Sequence, residues 1–93
     1  MFYVYILQCN DNTLYTGWTV DLDKRIKYHN MGKASKYTRG RLPVKLVYYE
    51  TYNNKIDATK REYEIKQLSR DKKLKLIEFG YEEVAKRLIF LIG

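Results

Sequence analysis

The stretch Thr13-Leu-Tyr-Thr-Gly-Trp-Thr-Val-Asp-Leu-Asp-Lys-Arg-Ile-Lys-Tyr-His29 changes its periodicity part-way along. From Leu14 to Val20 it is rich in β-branched and aromatic residues and reads as a strand. At Asp21, a side chain suited to capping, it passes into a helical pattern in which Leu22 and Ile26 turn toward the core and which runs to about Asn30. Gly17 interrupts the strand where a side chain would normally stand, the mark of a bulge or of a close approach by another group. Arg25 and His29 lie four apart, so a helix stacks them on one face. A tyrosine beside a glycine gap, an arginine and the chain's one histidine are therefore expected at a single strand–helix corner.

Phe2 to Leu7 is an unbroken apolar and aromatic run that reads as a strand buried on both faces, and Asn10-Asp11-Asn12 supplies the turn of a hairpin. Between Asn30 and Pro43 the periodicity disappears. This loop-like connection holds Lys33, Lys36, Arg39 and Arg41 with no acidic residue, four of the seven net positive charges. Connections of this length in compact domains are commonly binding loops, and the two glycines with Tyr37 favour backbone contact with phosphates. The bland reading is a solvated charge run. Val44 to Thr51 forms the third strand, with Pro43 tolerated at its start. Asn53-Asn54 turns into a helix from Ala58 to about Leu68, with Asp57 as N-cap. Its inward stripe passes through Ala58, Arg61 or Glu62, Ile65 and Leu68; Glu62 thus falls on it, and a carboxylate there is costly unless paired, hydrated or bound to a cation. Ser69 caps a further helix with Leu74 and Ile77 on its contact side and Gly80 as its stop. Val84, Leu88 and Leu91 space a last helix over 81–93, packed on the same domain as 1–80.

The bulk numbers agree with one small domain. The chain has 93 residues, 45% hydrophobic and 15% aromatic, with ten tyrosines that can pack a ring and still present a hydroxyl. A formal charge of +7 points to a polyanion such as nucleic acid rather than to solubility alone. One cysteine, Cys9, excludes a disulfide framework and reads as a buried strand-end residue, and with one histidine it cannot build a zinc site. The longest apolar run, Leu88 to Ile92, is too short to span a bilayer, and no basic leader precedes Phe2. A cytoplasmic setting without membrane contact is expected.

The order hairpin, helix, basic loop, strand, helix, carrying Tyr5, Tyr15, Gly17, Arg25, His29 and Glu62, resembles the GIY-YIG nuclease domain. The two name motifs read Tyr3-Val4-Tyr5 and Tyr15-Thr16-Gly17, with Tyr3 where the first motif opens on glycine. The arginine helix reads Leu22-x-x-Arg25-x-x-x-His29-Asn30, and the acidic helix Ala58-x-x-x-Glu62-x-x-Ile65-Lys66. Gly32 to Gly40 and Ile65 to Arg70 are further similar to the small single-domain UPF0213 branch, and the likeness runs from residue 2 to about 78. An asparagine found in some branches about a dozen residues beyond the acidic position is replaced here by Leu74.

The resemblance implies an α+β fold, β-β-α-β-α-α, with a small three-stranded antiparallel sheet flanked by helices. It implies metal-dependent endonucleolytic hydrolysis of DNA, in repair or processing. Glu62 would be the one direct protein ligand of a single Mg²⁺ or Mn²⁺ ion, since magnesium often keeps several waters and takes only one or two carboxylates. Arg25 would bind the scissile phosphate bidentately. Tyr5 would act as general base or water-orienting group, with Tyr15 and His29 in its proton network. Because a tyrosine titrates near about 10, that role needs a neighbour to draw the proton away. Gly17 would leave room for these groups. Substrate choice, on branched or damaged DNA, would rest on Lys33, Lys36, Tyr37, Arg39 and Arg41 and on a protein partner that supplies specificity.

Taken singly, each residue has a plainer reading. Tyr5 and Tyr15 could be sheet packing, His29 a helix-end residue, Arg25 a surface partner of Asp21, and Glu62 the partner of a nearby base. Their joint occurrence carries the inference. The rivals are a catalytically weak nucleic-acid-binding module that keeps the fold and basic loop, a sheet-face binder of single-stranded RNA, and an interaction domain without nucleic acid.

Overall fold

The computed structural model describes residues 1–80. The expected helix over 81–93, with its packing, lies outside the described residues. The elements are β1 (Phe2–Gln8), β2 (Leu14–Thr19), α1 (Leu22–Asn30), α2 (Lys36–Arg39), β3 (Lys45–Tyr52) and α3 (Lys55–Gln67). A further helix, α4, covers 70–80 as far as the description reaches. The three strands form one antiparallel sheet in the order β2-β1-β3, flanked by helices.

β1 is central, and it is buried on both sides as its sequence suggests: Val4, Tyr5, Ile6 and Leu7 are all inside. Alternation along the strand then sends these residues into two cores. Val4 and Ile6 pack with Tyr48, Ala58, Ile65 and Leu76 under α3 and α4. Tyr5 and Leu7 pack on the other face with Val44 and with Leu22 and Ile26 of α1. Helices α1 and α3 therefore lie on opposite faces of the sheet, and β2 is an edge strand where the two faces meet.

The hairpin turn uses Asn12 with φ of 65°, a value Asn tolerates, and Asp11 accepts from the Thr13 amide. Cys9, just past β1, is buried and free. Asp21 caps α1 as expected, its carboxylate accepting from the Lys24 amide. Three expectations change. The α3 cap is Asn54, not Asp57: Asn54 accepts from the Asp57 amide, so Asp57 sits inside the first turn and the helix starts earlier. The basic connection contains a short helix, α2, capped by Ser35. In α4, Leu76 is buried while Leu74 is 41% exposed, and Gly80 is itself helical. A Cβ on Gly80 would come within 2.7 Å of the Tyr48 ring and 2.9 Å of Leu76, so this glycine permits close packing rather than ending the helix within the described residues.

Candidate nuclease site

Strand pairing sets Tyr5 directly opposite Gly17 and Leu7 opposite Tyr15. The missing side chain at Gly17 is what lets the Tyr5 ring cross β2. A Cβ there would stand 2.6 Å from the Tyr5 hydroxyl and 3.1 Å from the Tyr15 ring. The Tyr15 and His29 rings meet edge-on at 5.2 Å, Tyr5 and His29 at 5.9 Å, and Tyr5 and Tyr15 lie 6.4 Å apart. Tyr37, carried by α2, extends the cluster to 6.0 Å from Tyr15. The corner expected from sequence thus exists as an aromatic cluster.

His29 is 1% exposed and held at both ring nitrogens. Nε2 lies 2.9 Å from the Tyr5 hydroxyl and Nδ1 lies 2.9 Å from the Thr38 hydroxyl. Thr38 is a residue that sequence reading missed. Its segment showed no periodicity, and the only cue was Ser35, a capping type, three residues earlier. Burial, and next the Arg25 charge, lower the His29 pKa from its ordinary value, so the imidazole is neutral near pH 7. Burial first, then Tyr15, push the Tyr5 hydroxyl above its usual range, while Arg25 opposes this and Glu62 adds to it.

Arg25 and Glu62 belong to helices on opposite faces of the sheet, yet both charges act on the Tyr5 hydroxyl. Arg25 is half-buried and makes no ion pair among the described residues; Asp21 is engaged at the helix cap instead. Glu62, its side chain 19% exposed, pairs with Lys66 one turn on at 3.6 Å. Such a helical pair contributes only about 0.3–0.5 kcal/mol. No group of three acidic, histidine or cysteine side chains fit to hold a metal exists among the described residues. Glu62 already accommodates one cation loosely, which fits a mostly hydrated Mg²⁺ or Mn²⁺ held by one carboxylate.

In the basic connection the five expected contact residues divide. Lys33, Lys36 and Arg39 are exposed and form no ion pair with a described residue. Arg41 is committed elsewhere: it pairs with Asp11 at 2.9 Å, donates to the Tyr37 carbonyl at 2.7 Å and stacks on the Tyr37 ring at 4.1 Å. Beside the cluster opens a groove of about 310 Å³ lined by Leu14, Tyr15, Thr16, Tyr37, Lys66 and Lys73. Thr16 Oγ1 is the one buried side-chain oxygen without a hydrogen-bond partner among the described residues. Lys66 and Lys73 were not singled out from sequence, because lysines on helices are ordinarily solvated and nothing in their spacing shows which groove they border.

The family model described as the GIY-YIG catalytic domain matches residues 1–75 of this chain. The protein belongs to the GIY-YIG family. A UPF0213 protein of Clostridium perfringens is 64% identical over 77 residues, 83% of each chain. One from Staphylococcus haemolyticus is 57% identical over 76 residues, covering 82% of this chain and 93% of the relative. The solution NMR structure of a Bacillus halodurans UPF0213 protein is 51% identical with a TM-score of 0.56, covering 85% of both chains. That of a protein from E. faecalis is 33% identical with a TM-score of 0.59, covering 85% of this chain and 84% of the other. Membership places the chain in a nuclease-type family that acts on nucleic acid. No described helix is long and apolar enough to cross a membrane.

Proposed function

We propose that this GIY-YIG domain is a metal-dependent DNA endonuclease whose reacting centre is the Tyr5 hydroxyl and the space before it. The observation that carries the reading is the convergence on that hydroxyl. One imidazole hydrogen-bonds it, one glycine makes room for it, and the charges of one arginine and one glutamate both act on it.

Hydrolysis of a phosphodiester needs a deprotonated water, charge stabilisation at the phosphoryl oxygens and help for the departing oxygen. Tyr5 is too weak an acid to lose its proton unaided, because burial holds it protonated. Neutral His29, 2.9 Å away, is the acceptor. The Tyr5 proton passes to Nε2, and the phenolate takes a proton from the attacking water, leaving hydroxide and an imidazolium. The half-buried Arg25 guanidinium binds the scissile phosphate and stabilises its developing charge. Glu62 is the residue that would hold a Mg²⁺ or Mn²⁺ ion, releasing Lys66 to the neighbouring phosphate. When bound, the ion supplies Lewis-acid stabilisation of the leaving 3′ oxygen. Lys33, Lys36 and Arg39, with Lys66 and Lys73 along the groove, contact the DNA backbone, and Tyr37 offers a stacking face. A role in DNA repair or processing, a branched or damaged substrate and a specificity-supplying protein partner are part of this reading.

The Lys66–Glu62 pair favours one rival, a binding module in which lysine keeps the carboxylate from a metal. Glu62→Ala separates the two. The nuclease reading predicts that nicking of plasmid and branched DNA, titrated with Mg²⁺ or Mn²⁺, falls by about 10²-fold or more, the usual cost of losing one such electrostatic group. DNA affinity should stay within a few-fold. Equal residual cleavage in wild type and variant would leave a binding module.

A further inference from the structure

The His29 ring can serve Tyr5 as an acceptor only if its own proton sits on Nδ1. Imidazole in water favours the proton on Nε2, so something in the fold must select the rarer form. The candidate is Thr38, which is wholly buried and 2.9 Å from Nδ1. We propose that Thr38 is a positioning residue that fixes His29 as the Nδ1–H tautomer, leaving the Nε2 lone pair facing the Tyr5 hydroxyl. The tautomer stands on geometry alone; its value to catalysis rests on the nuclease reading above.

Hydrogen-bond satisfaction decides between the two tautomers. Thr38 donates to the Ser35 carbonyl at 3.4 Å, a long bond but one that directs its proton away from the ring. The Thr38 oxygen is then an acceptor for Nδ1–H, and Nε2 accepts from Tyr5. Every polar atom in the chain Tyr5–His29–Thr38–Ser35 has a partner. In the opposite tautomer Thr38 donates to Nδ1 and Nε2–H donates to Tyr5. The phenol proton then has no acceptor among the described residues, because His29 is the only hydrogen-bond partner of the Tyr5 hydroxyl there. The short helix α2 sets this geometry: with Ser35 as its cap, it turns Thr38 inward toward the ring and Tyr37 outward against Tyr15.

Because the chain has a single histidine, its tautomer is read without ambiguity from long-range ¹H–¹⁵N correlation of the imidazole at pH 8. Wild type, Thr38→Ser and Tyr5→Phe are expected to carry the proton on Nδ1. The Tyr5→Phe variant isolates the influence of Thr38, since the phenol can no longer bias the ring. Adding Thr38→Val to Tyr5→Phe should shift the tautomer ratio about fivefold or more toward Nε2–H, the change equivalent to one neutral hydrogen bond. An Nε2–H ring in wild type or in Tyr5→Phe would overturn the proposal, and so would an unchanged ratio in the double variant. No substrate enters the measurement, so absence of DNA cleavage would defeat the nuclease reading without touching this result.

Discussion

At position 17 a hydrogen atom stands where any other residue would push a β-carbon to within 2.6 Å of the Tyr5 hydroxyl. Gly17→Ala must displace that ring or the strand beneath it, since the added carbon would lie 2.8 Å from Tyr5 Cζ. Overpacking of this kind costs about 1–3 kcal/mol. We predict that loss of stability in urea unfolding, together with loss of the Tyr5–His29 hydrogen bond and a larger proportional loss of cleavage. Wild-type stability in Gly17→Ala would mean that the gap is not needed. His29 gives a second residue-scale prediction. Its folded pKa is lowered, first by burial and then by Arg25, whereas the unfolded chain titrates near 6.5. Below 6.5 the unfolded state therefore binds the proton that the folded state refuses, so stability is complete above that pH and declines as pH falls toward the lowered value. Glu50 and Asp11, whose pKa values are also lowered, ordinarily titrate at 4.5 and 3.8 and begin to take up protons about one unit above those values, so among the described groups with a shifted pKa the decline from 6.5 to about 5.5 belongs to this imidazole. Chemical unfolding across that window checks it, and a flat profile there would contradict it.

Among the elements, α3 is anchored to β3 by charge as well as by Ala58 and Ile65. Arg61 donates through Nε and Nη2 to the two oxygens of Glu50 at 2.8 and 3.0 Å, and Tyr48 and Tyr52 donate to the same carboxylate. Burial alone would raise the Glu50 pKa, but these donors outweigh it and hold it below the usual value. Arg61→Met leaves that carboxylate 9% exposed without its cation and should cost about 3 kcal/mol, the low end for a broken buried pair because Arg61 is itself 18% exposed. Thermal unfolding reads it; a change under about 1 kcal/mol would show the pair to be dispensable. The basic connection supplies a contrasting test. Replacing Lys33, Lys36 and Arg39 with alanine should reduce the slope of log affinity against log salt by about 2–3, since each phosphate no longer neutralised removes about 0.9. Arg41→Ala should leave that slope nearly unchanged and loosen α2 instead, because Arg41 is bound to Asp11 and Tyr37. An unaltered slope in the triple variant would remove the loop from the DNA interface.

The same elements show what the sequence could reveal. Strand identities followed from runs rich in β-branched and aromatic residues and helix identities from 3.6-residue spacing, and Asp21 was legible as a cap because the apolar pattern begins directly after it. At α3 the sequence reading gave Asn54 to the turn and Asp57 to the cap; the Asn54 side chain takes the Asp57 amide, which local pattern alone did not reveal. Helix α2 was illegible because four residues make barely one turn and carry no periodicity, and Thr38 was hidden with it.

For the whole molecule, sequence spacing stacked Arg25 with His29 on one helix and set Glu62 on the inward stripe of another, but did not say how the two helices sit about the sheet. They sit on opposite sides. The edge strand thinned by Gly17 makes room for the Tyr5 ring on which both charges bear, a placement that the pairing register determines and helix patterns do not. On the proposed reading, the basic balance of +7 would give the molecule long-range attraction for DNA, and the site would supply the chemistry. The most direct test of this shared centre is a double-mutant cycle on single-turnover DNA cleavage with Arg25→Lys and Glu62→Asp, chosen to keep measurable rates. Groups acting on one transition state are predicted to be non-additive, with the double variant slowed little beyond the slower single one. Losses that simply multiply, or rates that match wild type, would contradict a common site built across the two faces of the sheet.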